Sequence, residues 1–164
     1  MKKTALALAS ALLLLAACDS SSTSDTSAGG SGVNGVGGGV GQGGGTLGSL
    51  EDGRSVGDRV FFETDSSVVT GEGQATLSNQ AEWLKANGSV NVLIEGHADE
   101  RGTREYNLAL GERRATAAKN YLVSIGIPSS RISTTSFGKE RPAVTGNDES
   151  AWSQNRRAVT VIAN

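Results

Sequence analysis

Cysteine and histidine are nearly absent from this chain, which holds one of each in 164 residues. A single Cys excludes an internal disulfide, and one Cys with one His cannot supply a usual structural zinc site. Proline is almost as scarce, at 2 residues, against 23 glycines. Neither charge dominates: 15 Lys plus Arg face 17 Asp plus Glu, a formal net charge of −2. That balance argues against the broad basic field with which proteins hold nucleic acid. No Ser stands in a nucleophile-elbow context, and nothing in the chain calls for a cofactor.

What is present divides into three segments. Residues 1–17 open with Lys2 and Lys3, continue as an apolar run from Thr4 to Leu15 and leave through Ala16-Ala17. This is the pattern of a secretory signal peptide, too short for a comfortable permanent span. Leu15-Ala16-Ala17-Cys18 matches a bacterial lipobox, so the sole cysteine, Cys18, is expected to carry lipid. Several acyl chains, at about 0.8 kcal/mol per buried CH₂, hold a protein stably where one would not.

Residues 18–50 read as a tether. From 19 to 50 there are 12 Gly and 7 Ser, with no Lys, Arg or aromatic residue. Such a stretch cannot bury enough apolar surface to offset its ordering entropy and is expected to be disordered. Its r.m.s. span would be roughly 30 Å. From residue 51 to 164 the composition becomes that of one globular domain, with 15 acidic and 13 basic groups and every aromatic residue.

Within that domain Arg59–Glu63, Val90–Glu95, Ile132–Phe137 and Arg157–Ala163 read as strands. A helix is expected after Thr70, with Leu77, Ala81 and Leu84 on one face and a stop at Asn87-Gly88. A longer helix is expected over Glu105–Ile125, with Leu110, Ala117, Tyr121 and Ile125 as its apolar side. The order β-α-β-α-β-β predicts a two-layer α/β sandwich with helices on one face of a small mixed sheet.

The chemistry concentrates in Gly96–Gly102 and the helix that follows. Asn107, Gly111 and Arg114 are spaced to line one helical stripe, and the Arg114 side chain leans back toward the loop carrying Asp99. Gly111 would let another molecule approach the backbone. A carboxylate and a guanidinium beside such a gap suit a zwitterion; an intramolecular Asp99–Arg114 pair on a solvated face is the alternative. His97, with no second His or free Cys beside it, reads as a hydrogen-bonding structural residue. Trp83 and Trp152 read as packing residues, with a partner surface the alternative for Trp152, and Arg156-Arg157 either reach an anionic ligand or end a strand in solvent.

The run GHADERGTREYNLALGERRA at 96–115, with SFGKERPAV at 136–144 and NRRAV at 155–159, resembles the OmpA-like peptidoglycan-binding domain family over roughly residues 58–162. The resemblance implies a domain that holds the meso-diaminopimelate stem peptide of peptidoglycan without catalysis. It implies Asp99 on the ligand ammonium, Arg114 on its carboxylate and Asn107 beside them, with Phe62, Thr64 and Asp65 on the pocket rim. Gly111 replaces the family's commoner Ser. The lipid-anchored members further imply TolB and other Tol proteins as partners in envelope constriction, and an outer-membrane anchor with the domain facing the periplasm. Asp19 after Cys18 points instead to inner-membrane retention. An envelope lipoprotein outside the Tol system and a murein hydrolase are the competing readings.

Overall fold

The computed structural model describes residues 45–163. The expected signal peptide, Cys18 and the tether as far as residue 44 lie outside the described residues. The elements run β1 (Thr46–Ser49), β2 (Ser55–Gly57), β3 (Arg59–Phe61), α1 (Gly71–Ala86), β4 (Asn91–His97), α2 (Arg104–Ser124), a 3₁₀ turn (Ser129–Arg131), β5 (Ile132–Gly138), α3 (Glu149–Asn155) and β6 (Arg157–Ala163). The predicted β-α-β-α-β-β sequence is present as β3-α1-β4-α2-β5-β6, in a mixed sheet ordered β3-β6-β4-β5. Only β4 and β5 are parallel; β6 runs antiparallel to both β3 and β4.

Alternation along the strands sets the core. Val60, Val92, Ile94, Ile132 and Ala158 point to one face, where Leu77, Ala81 and Leu84 of α1 and Ala115, Ala118 and Leu122 of α2 cover them. Both helices have side-chain caps. Thr70 accepts from Gly73 N at 3.2 Å, and Thr103 accepts from Tyr106 N at 3.2 Å. The buried Gln80 donates to Gly57 O at 2.8 Å and accepts from Thr160 Oγ1 at 2.9 Å, so this polar pair enters the core satisfied.

Three expectations need correction. Residues 46–49, assigned to the tether, form β1 and pair with β2, so the ordered region starts before residue 51. Gly48 lies so close to Trp83 that an added Cβ would stand 2.6 Å from its indole nitrogen; the strand is glycine-bearing because an aromatic ring lies on it. The short α3 also escaped notice, since its seven residues carry no apolar period; Asp148 caps it by accepting from Ala151 N at 3.0 Å. Finally, the buried side of α2 is Asn107, Leu110, Gly111, Arg114, Ala115, Ala118 and Leu122, while Ala117, Tyr121 and Ile125 are only partly buried. Of the stripe read as facing a ligand, Gly111 and Arg114 face the protein instead.

Candidate functional site

Strand β4 delivers the loop 98–103 to the edge of the domain, and two donors fix the loop there. Asn107 Nδ2 donates to Arg101 O at 2.7 Å, and Lys139 Nζ donates to Gly102 O at 2.7 Å and to Glu100 O at 3.1 Å. A pocket of about 220 Å³ opens beside it, lined by Thr64, Asp65, Ala98, Asp99, Arg101, Gly102, Tyr106, Asn107 and Leu110. Asp99, Asp65, Thr64 and Asn107 therefore line one pocket, from three separate parts of the chain.

Asp99 is the centre of charge. The residue is 7% exposed, and its carboxylate accepts from Arg101 Nη2 at 2.7 Å, Arg101 Nε at 3.0 Å and Arg101 N at 3.1 Å. Arg156 Nη1 stands 3.6 Å away. Burial pushes the Asp99 pKa up, but the hydrogen bonds and charge of Arg101, helped by Arg156, outweigh it and hold the group below its ordinary value. Asp99 is thus an ionised acceptor at neutral pH. Across the pocket Asp65 adopts φ of 54°, a left-handed conformation that Asp tolerates better than most residues, and accepts from the Tyr106 hydroxyl.

Arg114 is elsewhere than expected. It is 0% exposed, and its Nε, Nη1 and Nη2 donate to Ser66 O at 2.8 Å, His97 O at 2.8 Å and Glu63 O at 3.1 Å. Its guanidinium lies 5.3 Å from the Phe62 ring centre, and Phe62 is itself core. Burial pulls the Arg114 pKa down to about 10, with Asp99 the main charge opposing that shift, so the side chain stays protonated at neutral pH. It neither pairs with Asp99 nor sits on a solvated face. Gly111 is also outside the pocket: a Cβ there would meet Ser136 Oγ at 2.3 Å and Gly96 O at 2.8 Å. The gap is filled by the sheet.

Other assignments shift as well. His97 is 2% exposed, and neither ring nitrogen has a hydrogen-bond partner, contrary to the expected structural bonds; it packs 5.6 Å from the Phe137 ring. Burial, reinforced by the Arg157 charge, drives its pKa down to about 3, so it is neutral. Arg156 and Arg157 do not end in solvent. Arg156 donates from Nε to Phe62 O at 3.0 Å and from Nη2 to Glu149 Oε1 at 2.5 Å, and Arg157 donates to Arg141 O at 3.2 Å. Trp83 packs against the core as expected. Trp152 stands at the site, with Arg101 stacked 4.2 Å from its ring centre and its Nε1 donating to Glu100 Oε1 at 3.1 Å.

Sequence reading therefore missed Arg101, Tyr106 and Trp152. For Arg101 a local signal existed: an acid followed two residues on by a base is the spacing at which an Asp closes a turn on a backbone N–H. Trp152 gave none, since it approaches from α3, far along the chain.

This fold and this loop have relatives. The OmpA family matches residues 61–156. The chain belongs to the OmpA family. The peptidoglycan-associated lipoprotein of Mesorhizobium japonicum is 51% identical over 154 residues, covering 93% of this chain and 88% of that one. The protein of the same name from Rhizobium meliloti is 57% identical over 125 residues, covering 76% and 71%. Among solved structures, the peptidoglycan-associated lipoprotein from Burkholderia pseudomallei is 43% identical with a TM-score of 0.63, covering 65% of this chain and 90% of that one. The C-terminal domain of Helicobacter pylori MotB shares the fold at 17% identity and a TM-score of 0.61.

Proposed function

We propose that this protein holds peptidoglycan non-covalently by the meso-diaminopimelate tip of its stem peptide, and so ties a membrane to the cell wall. The observation that carries the reading is Asp99, an ionised carboxylate kept at the floor of a small pocket amid guanidinium groups. The tip of that peptide bears an ammonium and a carboxylate, and the pocket offers acceptors for one and the Arg101 guanidinium for the other. The relatives named peptidoglycan-associated lipoprotein support peptidoglycan as the polymer that is held. The role is binding, not catalysis.

The remaining parts fit an anchor. Cys18 carries the lipid, and residues 19–44 with the Gly-rich approach to β1 form the tether, which raises the local concentration of the domain near stem peptides. The anchor is placed in the outer membrane with the domain in the periplasm, Asp19 notwithstanding. TolB and the Tol proteins are the proposed protein partners, on the resemblance of the chain to lipid-anchored members of the family. Sedimentation with purified sacculi tests the pocket. Asp99→Ala should lower the wall-bound fraction of the full chain by about tenfold or more, because a charged hydrogen bond is lost. Unchanged co-sedimentation would refute the site.

A further inference from the structure

We propose that the groove between the β1–β2 hairpin and the last turns of α1 docks a peptide segment in which an apolar residue is flanked by Lys or Arg, and that it does so while the Asp99 pocket is occupied. The groove shares no residue with that pocket, and the inference does not depend on what the pocket holds.

Three observations carry it. The first is shape. Hairpin and helix enclose about 640 Å³, against about 220 Å³ for the pocket at Asp99, and Leu50, Trp83 and Ala86 form the apolar part of the lining. Trp83 is fixed there, since its side chain packs on the core and the β1 backbone at Gly48 lies against its indole. The surface is therefore ready before a partner arrives, and an aromatic ring receives either an apolar side chain or a cation.

The second is charge. Glu51, Asp52 and Glu82 line the same groove with one base among them, Arg54. Arg54 braces the hairpin: its Nε pairs with Asp52 at 2.5 Å, its Nη2 stands 3.5 Å from Glu82, and its Nη1 donates to Asn79 Oδ1 at 3.4 Å. One guanidinium against three carboxylates leaves a formal excess of negative charge. Other bases at this end of the domain are turned elsewhere. Arg131 donates to Leu84 O at 3.0 Å and Asn87 O at 2.8 Å, and Lys85 lies toward Gly126. The side chains of Asp52 and Glu82 are 52% and 61% exposed, so a cation reaches them from solvent without a buried charge being opened. An apolar surface rimmed by acids fits an apolar residue between two bases, and repels an acidic segment.

The third is position. Helix α1 starts at Gly71, just after the segment that brings Thr64 and Asp65 to the Asp99 pocket, and ends at Ala86 in the groove. Its 16 residues span about 24 Å. The two sites thus lie at opposite ends of one helix, and a partner seated in the groove leaves the pocket open.

The test is an NMR titration of the detergent-solubilised full chain, following the Trp83 indole N–H and the amides of residues 50–54. The probes are Ac-Gly-Lys-Leu-Arg-Gly-NH2 and Ac-Gly-Glu-Leu-Glu-Gly-NH2. The basic peptide should shift these signals saturably, less so as salt is added, and the acidic one should leave them in place. Glu51→Gln combined with Glu82→Gln, both at exposed positions, should weaken the basic peptide about fivefold or more. The same double variant should co-sediment with sacculi as the wild type does. No shift with the basic peptide, equal shifts with both peptides, or undiminished affinity in the double variant would overturn the site. Shifts that grow with protein concentration in the absence of peptide would overturn it in favour of a second copy of the chain. Loss of sacculus binding in the double variant would overturn the separation of groove and pocket.

Discussion

At the residue scale, the difference between Arg101 and Arg114 governs what each can do. Both lie near Asp99, yet one is a half-exposed side chain on a loop and the other a fully buried strut. Arg114 ties Glu63 and Ser66, in the segment after β3, to His97 at the end of β4, and so sets the distance between the two walls of the pocket. Replacing Arg114 with Ala should destabilise the fold by about 3 kcal/mol or more, since buried carbonyls lose their donors and a large side-chain volume is emptied. Urea unfolding of the variant checks this; a midpoint equal to that of the wild type would contradict the strut. Loss of wall binding in Arg114→Ala would therefore report on architecture and would not by itself mark Arg114 as a ligand contact. The sequence put Arg114 on the correct stripe with Asn107 and Gly111. It could not tell which way the stripe faced, because a glycine beside a polar residue accommodates a strand backbone as readily as a ligand.

At the element scale, the decisive contact is that of α2 against β4 and β5. A Cβ on Gly96 would stand 1.8 Å from Gly111 O, and the two glycines let helix and sheet meet backbone to backbone. Ser136 Oγ donates to Leu108 O at 2.7 Å in the same seam, locking the helix start over β5. That seam fixes where Asn107 stands, and Asn107 in turn holds the loop carrying Asp99 and Arg101. Gly96→Ala must push the helix away, at a cost of about 3 kcal/mol or more in stability, and should loosen the loop along with it. Thermal unfolding would show the loss; an unaltered transition would contradict the close seam. The strands and both long helices were legible because their apolar residues keep period and their ends carry caps. The β1–β2 hairpin and α3 were not, since neither has a periodic apolar face: the first is glycine-rich beneath Trp83, and the second is a single capped run of polar residues.

At the scale of the whole molecule, the ordered domain does two things with one core. The apolar face of the sheet binds the helices, and the loops at the ends of β3 and β4, with α3 beside them, form the pocket. The pocket walls come from residues 64–65, 98–102 and 106–110, with Trp152 alongside; sequence motifs singled out Asp99, Thr64 and Asp65 among them but not Arg101, and Phe62, expected on the rim, is core. Nothing in the spacing of GHADER distinguishes a base that serves the ligand from one that covers the acid. Proximity in three dimensions decides that. The account depends on Asp99 accepting an ammonium from a wall peptide. A crystal structure of the chain with a meso-diaminopimelate tripeptide tests it most directly. The account predicts the distal ammonium within hydrogen-bond distance of Asp99. A peptide bound elsewhere on the domain, or one bound here with its ammonium away from Asp99, would contradict it.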